Sequence, residues 1–306
     1  DTIINTILRS DLLPKKQYKY SDFTFILFKE YLELHSKKSL EELAHTNFFE
    51  PLGANSIMYN PLRKMNSNRI IPTENDTYFR HQLVQGYVHD MAAAMQGGIS
   101  GHAGLFANAL DVAKVMQMYL QKGSYGGRTY ISENTFNMFN TCYFCKEGNR
   151  RGVGFDKPQL GNEGPTCGCV SLTSFGHTGF TGTMTWADPE KEIVYVFLSN
   201  RTYPDSNAAN KLSKENIREN LIEQINIEIQ KLIALDTTLD ILQDQLPDTK
   251  KKNEMNIATS KIANAYEKII IENKMLIGII NELSLDVLEN LVDKYINNKK
   301  VFTNLF

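Results

Sequence analysis

Three short stretches of this chain hold side chains that could move protons or shape a tight turn around a reacting group. Tyr20-Ser21-Asp22 stands at the head of an apolar run. Gly97-Gly98-Ile99-Ser100-Gly101-His102-Ala103-Gly104-Leu105-Phe106 puts a serine and a histidine in a glycine-rich turn, ahead of a run containing Asp111. Phe175-Gly176-His177-Thr178-Gly179-Phe180-Thr181-Gly182-Thr183 leads into Trp186-Ala187-Asp188-Pro189 and an apolar run ending at Asn200-Arg201. Taken alone each is weak: a tyrosine before a helix is usually structural, and glycine-rich turns mostly serve backbone geometry.

The elements around them follow from spacing. Phe23 to Leu34 is apolar and helical in character, and Ser39-Leu40-Glu41-Glu42 predicts a capped helix through Phe49, stopped by Pro51 and Gly53. Residues 54–84 show little periodicity. Val112, Val115, Met116 and Tyr119 share one helical face, closed by Gly123. The period then changes: Thr173 to Phe180, Gly182 to Ala187 and Glu192 to Asn200 read as short strands. Ile193 to Leu198 is continuously apolar, which predicts a central strand buried on both faces. Helices first and a three-strand meander later predict an α+β fold, an antiparallel sheet packed with helices. Beyond about residue 205 the composition becomes Ile, Leu, Asn, Lys and Glu, with a boundary at 228. Residues 229–306 read as a helical extension, with apolar stripes over 222–246, 262–283 and 285–295.

Together, in this order and with these flanks, the three stretches resemble the serine β-lactamase and penicillin-binding-protein family, nearest its class C-type or esterase-like branch. Phe49-Glu50-Pro51-Leu52-Gly53 and Val88-His89-Asp90 add to the likeness, which runs over about residues 10–226. Within that family the chain resembles domains found behind a family 3 glycoside hydrolase (β-N-acetylglucosaminidase) in Bacteroides-like bacteria. The resemblance implies acyl transfer through a covalent serine on a cell-wall peptide, lactam or ester, with no cofactor for catalysis and an exported, periplasmic location. Such a reaction needs a nucleophile, a base and donors for the oxyanion. Tyr20 matches the family's tyrosine proton shuttle, whose phenol needs nearby cations to act as a base at neutral pH. Asp22 stands where asparagine is commoner, and a carboxylate cannot donate as an amide does. His177, Thr178 and Gly179 match the Lys/His-Thr-Gly strand beside the substrate; histidine there weakens the permanent positive charge. Phe180, His102 and Arg151 are the candidate substrate contacts. His102 also reads as holding a loop beside the site, and Arg150 and Arg151 as solvated or sheet-covering.

The nucleophile is missing from this pattern. No serine has a lysine three positions later, and the only threonine so spaced is Thr249, in the hydrophilic Thr249-Lys250-Lys251-Lys252 turn. Ser100 approaches a Gly-x-Ser-x-Gly elbow, but His102 stands where the last glycine belongs. In the family the Ser-x-x-Lys helix precedes the tyrosine, so a segment upstream of Asp1 is expected to supply it, with or without an attached glycoside hydrolase. The fold is then incomplete at its N-terminus, apolar surface that would cover that helix is exposed, and this chain alone hydrolyses nothing. The rival reading is a non-catalytic interaction module with the helical tail as partner surface.

Cys142-x-x-Cys145 and Cys167-x-Cys169 have the spacing of an all-cysteine structural zinc site, or of disulfides linking across the two pairs. With 42% hydrophobic and 22% charged residues among 306, global disorder is excluded. A net charge of -2 argues against a nucleic-acid partner. No apolar run approaches the roughly 18 residues that span a bilayer.

Overall fold

The computed structural model describes residues 2–15, 18–158, 164–206 and 211–244. The chain divides into two compact units, Asp1–Asn220 and Leu221–Phe306. The first holds α1 (Thr2–Arg9), α2 (Phe23–Ser36), α3 (Leu40–Ala44), β1 (Met58–Tyr59), β2 (Pro72–Asp76), β3 (Gln82–Gln85) and α4 (Met91–Met95). These are followed by β4 (Leu105–Phe106), α5 (Ala109–Leu120), β5 (Ser124–Tyr125), β6 (Arg128–Thr129) and α6 (Glu133–Asn140). Then come β7 (Phe175–Thr178), β8 (Met184–Asp188), β9 (Ile193–Phe197) and α7 (Lys211–Lys214). The last described helix, α8 (Ile217–Asp244), runs on into the second unit. The stripes expected over 262–283 and 285–295 lie outside the described residues. No described helix is long and apolar enough to cross a membrane.

The meander forms where alternation predicts it. β7, β8 and β9 make an antiparallel sheet in that order, with His177 opposite Thr185 and Trp186 opposite Tyr195. One expectation fails: among the described residues β9 lies at an edge, with β8 central. Tyr195 and Phe197 are buried while Ile193, Val194 and Val196 are only partly so. Its continuous apolar run reflects one packed face and a half-covered one, since α5 lies over β8 and β9. Beyond β7 the described pairing is a single bridge, Asp156 to Gly176.

α5 starts two residues before Asp111 because Asn108 caps it, accepting from the Asp111 N–H. Its Met116 packs with Phe136, Phe175 and Ala187, and Met118 with Leu52, Ala54 and Ile57. The expected helix through Phe49 is α3, capped by Ser39, continued by a π-helical turn over His45–Phe49. Residues 54–84 contain a hairpin that periodicity does not reveal, β2 paired with β3. Its buried side is polar: Thr73, Glu74 and Asp76 are all within the interior. Arg80 makes this possible, reaching Glu74 at 2.5 Å and Asp76 at 2.7 Å.

α2 buries only Ile26 and Lys29. Phe23, Phe28, Tyr31 and Leu34 are 50%, 47%, 57% and 76% exposed, so most of an apolar helix faces outward.

Candidate functional site

Tyr20 lies in the loop that leads into α2, and β7 brings His177 to it, with ring centroids 6.4 Å apart. Arg151 joins them. Its guanidinium stands 4.9 Å from the Tyr20 ring centroid, and its Nη1 donates to His177 Nε2 at 2.8 Å. Arginine only donates, so Nε2 is an acceptor here and Nδ1 carries the hydrogen that goes to the Thr178 carbonyl at 2.7 Å. His177 is thereby the neutral Nδ1–H tautomer, and Arg151 is the fixed positive charge at this edge. Both arginines reach the buried Asp156 carboxylate, Arg150 through Nε and Nη2 at 2.8 and 2.9 Å and Arg151 through Nη2 at 3.5 Å.

Tyr20 does not have the cationic surroundings that a phenolate base requires. Desolvation, then the Asp22 carboxylate, push its phenol above the ordinary value, and Arg151 opposes them without prevailing. As it stands here the hydroxyl stays protonated at neutral pH.

Gly179 closes the turn after β7, its N–H donating to the Thr183 carbonyl at 2.7 Å. A Cβ at Gly179 would lie 2.2 Å from Thr183 Oγ1, so that hydroxyl would have to turn aside. Phe180 follows at the rim, 62% exposed. Its ring stacks on His89 at 4.9 Å and takes the Arg201 guanidinium at 4.1 Å.

Asp22 and His102 come together with Asp90. A carboxylate oxygen of Asp22, one of Asp90 and a ring nitrogen of His102 all lie within 4.8 Å of one another. His102 is fully engaged, Nδ1 with Ser100 Oγ at 3.0 Å and Nε2 with Asp90 Oδ1 at 2.8 Å. Neither ring nitrogen has a free lone pair to offer, so this trio is not a metal centre as it stands. The line Ser100-His102-Asp90 is not a nucleophilic triad either. Ser100 is 2% exposed, so its hydroxyl is closed to a substrate carbonyl. Ser100 and Asp90 escape a reading by motif because their pairing with His102 is made by folding. The one local signal is Asp90 before Met91-Ala92-Ala93-Ala94, where it caps α4.

Gly101 sets how closely this loop approaches α2. A Cβ there would stand 2.2 Å from the Phe25 carbonyl oxygen. Gly101→Ala is expected to lose about 1–3 kcal/mol by overpacking, read as a lower urea midpoint at unchanged slope.

The cysteines pair within each motif. Cys142 is joined to Cys145, and Cys167 to Cys169, in two disulfides. This overturns both the zinc expectation, since no thiolate remains to bind a metal, and the expectation of bridges across the pairs. The Cα atoms within each pair are already 5.6 and 5.1 Å apart, inside bonding range.

Tyr20, Arg151 and the His-Thr-Gly strand thus stand together in an α+β fold. The β-lactamase family profile matches residues 4–216, and the chain belongs to that family of β-lactamase/transpeptidase-like serine hydrolases. A relative from Escherichia coli O157:H7 is 33% identical over 219 residues and carries the provisional name D-alanyl-D-alanine carboxypeptidase. That alignment covers 67% of this chain and 50% of the relative. One from Salmonella gallinarum, with the same name, is 31% identical, covering 67% and 49%. The chain thus spans about half the length of the curated relatives it matches. Among solved structures, a β-lactamase from Mycobacterium bovis is 19% identical with a TM-score of 0.42, covering 64% of this chain and 63% of that one. A mutant simvastatin synthase from Aspergillus terreus is 13% identical with a TM-score of 0.48, covering 67% and 54%.

Proposed function

We propose that residues 1–228 supply the tyrosine and His-Thr-Gly side of a serine hydrolase site, and that a Ser-x-x-Lys segment upstream of Asp1 supplies the nucleophile. The observation that carries this is the convergence of Tyr20, Arg151 and His177. The high phenol and the Asp22 carboxylate, which caps α2 without a side-chain hydrogen bond, are what a site without its lysine would show. The exposed face of α2 and the half-length match to the relatives support the same reading.

The substrate is a cell-wall peptide, lactam or ester. A free carboxylate on it suits Arg151, which is charged at every relevant pH. The names of the curated relatives favour the peptide. In the first step the serine oxygen adds to the carbonyl while its proton passes to the Tyr20 oxygen, held as phenolate by the incoming lysine. Collapse of the adduct expels the amine or alkoxide, which takes that proton. Water then cleaves the acyl-serine. Thr178 and Gly179 line the acyl group, with Phe180, Arg151 and His102 around the substrate. The chain alone is inactive, the partner is its own upstream polypeptide with or without a family 3 glycoside hydrolase, and the location is exported.

The test is the reading frame upstream of Asp1, expressed together with these residues. A fluorescent penicillin should label that longer polypeptide on the new serine, and a peptide ending in D-alanyl-D-alanine should release D-alanine. A longer frame with no Ser-x-x-Lys, or one that stays unlabelled, overturns the proposal in favour of the interaction module.

A further inference from the structure

Two arginines share one buried carboxylate next to β7. Asp156 is 2% exposed, and its backbone is pinned to the strand beside His177. Its N–H donates to the Gly176 carbonyl at 2.7 Å, and its carbonyl accepts from the Gly176 N–H at 3.0 Å. Arg150 serves both carboxylate oxygens, Nε on Oδ1 at 2.8 Å and Nη2 on Oδ2 at 2.9 Å, a fork that matches carboxylate geometry. The Lys157 N–H adds a third bond, to Oδ1 at 3.1 Å. Arg151 is left with the longer pairing, Nη2 to Oδ2 at 3.5 Å. Its short bond goes instead to His177, through Nη1 at 2.8 Å, and its guanidinium stands 4.9 Å from the Tyr20 ring centroid. Two guanidiniums and one carboxylate leave this cluster with an excess positive charge. Because Arg150 satisfies Asp156, that excess resides on Arg151.

We propose that Arg150 is a positioning residue for the site's cation: by neutralising the buried Asp156 it leaves the Arg151 charge available to a carboxylate that arrives at Tyr20 and His177. That this carboxylate belongs to a substrate rests on the function proposed above. The division of labour between the arginines does not. Asp156 is buried, so its field is screened less than that of a surface carboxylate. Without the Arg150 guanidinium it acts on Arg151 alone. Arg151 then closes its 3.5 Å gap, and the excess charge of the cluster falls to zero. If Arg150 only covered the sheet, removing it would cost stability but would leave the affinity for an anion unchanged, and a second substitution at Asp156 could repair nothing.

The test titrates the full 306-residue chain with N-acetyl-D-alanine, a small monocarboxylate, and follows the Tyr20 and His177 ring signals by NMR. Both should move with one saturating midpoint, and the uncharged N-acetyl-D-alanine amide should not move them. Arg150→Met keeps the stem without the charge and should raise that midpoint about tenfold. Arg150→Lys, which still neutralises Asp156, should hold it within about twofold. Arg150→Met combined with Asp156→Asn restores the excess positive charge and should bring the midpoint back to within about threefold of the unaltered chain. A double variant no tighter than Arg150→Met overturns the proposal, as does an unaltered chain whose signals ignore the carboxylate. If Arg150→Met does not fold, Asp156→Asn alone decides, because it adds a positive charge and should tighten the probe; unchanged or weaker binding overturns the proposal. A chain that behaves as proposed, but whose upstream-extended form is never acylated, sinks the hydrolase proposal and leaves this one standing. Acylation in which KM for a carboxylate-bearing substrate ignores Arg150→Met sinks this one alone.

Discussion

In the upstream-extended polypeptide, Tyr20→Phe is expected to slow acylation of the serine by about 10²–10⁴-fold. The reason is elimination as much as placement. His177, the other candidate base at this edge, has no free nitrogen, because Nε2 accepts from Arg151 and Nδ1 donates to the Thr178 carbonyl. Arg151 cannot give up a proton. His102 is enclosed by Ser100 and Asp90. The Tyr20 oxygen is therefore the proton carrier this part of the site offers, and phenylalanine keeps its ring against Arg151 while removing that oxygen. Time-resolved mass spectrometry of the acyl-enzyme measures the effect. Arg151→Ala should separate from it: KM for a substrate ending in a carboxylate rises, while acylation by an uncharged fluorophosphonate changes little.

Arg80→Met should be the most damaging single change to stability, about 3–5 kcal/mol by urea unfolding. Glu74 and Asp76 side chains are 1% and 0% exposed, and the Arg80 fork serves both while also donating to the carbonyls of Val88 and His89. Methionine fills the space but removes the guanidinium from both buried carboxylates, leaving Asp76 its backbone N–H donors and Glu74 the Tyr78 hydroxyl at 3.4 Å and the His89 ring at 2.9 Å. The acid response should change with it. Burial works against the charge on Asp76, but the N–H groups of Phe79, Tyr78 and Arg80 and the Arg80 side chain outweigh it, holding the carboxyl well below the usual carboxylate range. Its stabilisation is thus complete above the unfolded value of about 3.9 and is lost as pH falls through the lower folded value. Without the guanidinium that folded value rises, the stabilisation shrinks, and circular dichroism should show acid unfolding begin at higher pH.

The features legible in the sequence are those made by local rules. α5 and the β7–β9 meander follow from apolar spacing, and Ser39 announces α3. The β2–β3 hairpin was hidden because its interior face is threonine, glutamate and aspartate, a pattern that reads as solvent-exposed until Arg80 is seen to neutralise it. The edge position of β9 is not legible in its apolar run because half-covered and fully covered strands have the same composition. At the site, residue types pointed to Tyr20, His177 and Arg151, but not to the tautomer of His177 or to which arginine faces Tyr20. Those depend on contacts made by the fold, with Asp156 holding Arg150 by two hydrogen bonds and Arg151 by a longer pairing at 3.5 Å. The disulfides follow loop geometry rather than spacing alone.

Intact-mass spectrometry of the 306-residue chain after exposure to a fluorophosphonate asks most simply whether a working nucleophile resides within it. We expect the unmodified mass, with the adduct appearing only once polypeptide bearing Ser-x-x-Lys is joined upstream. A stoichiometric adduct on the chain by itself would contradict the account, because it would mean that some residue already present here attacks without that help.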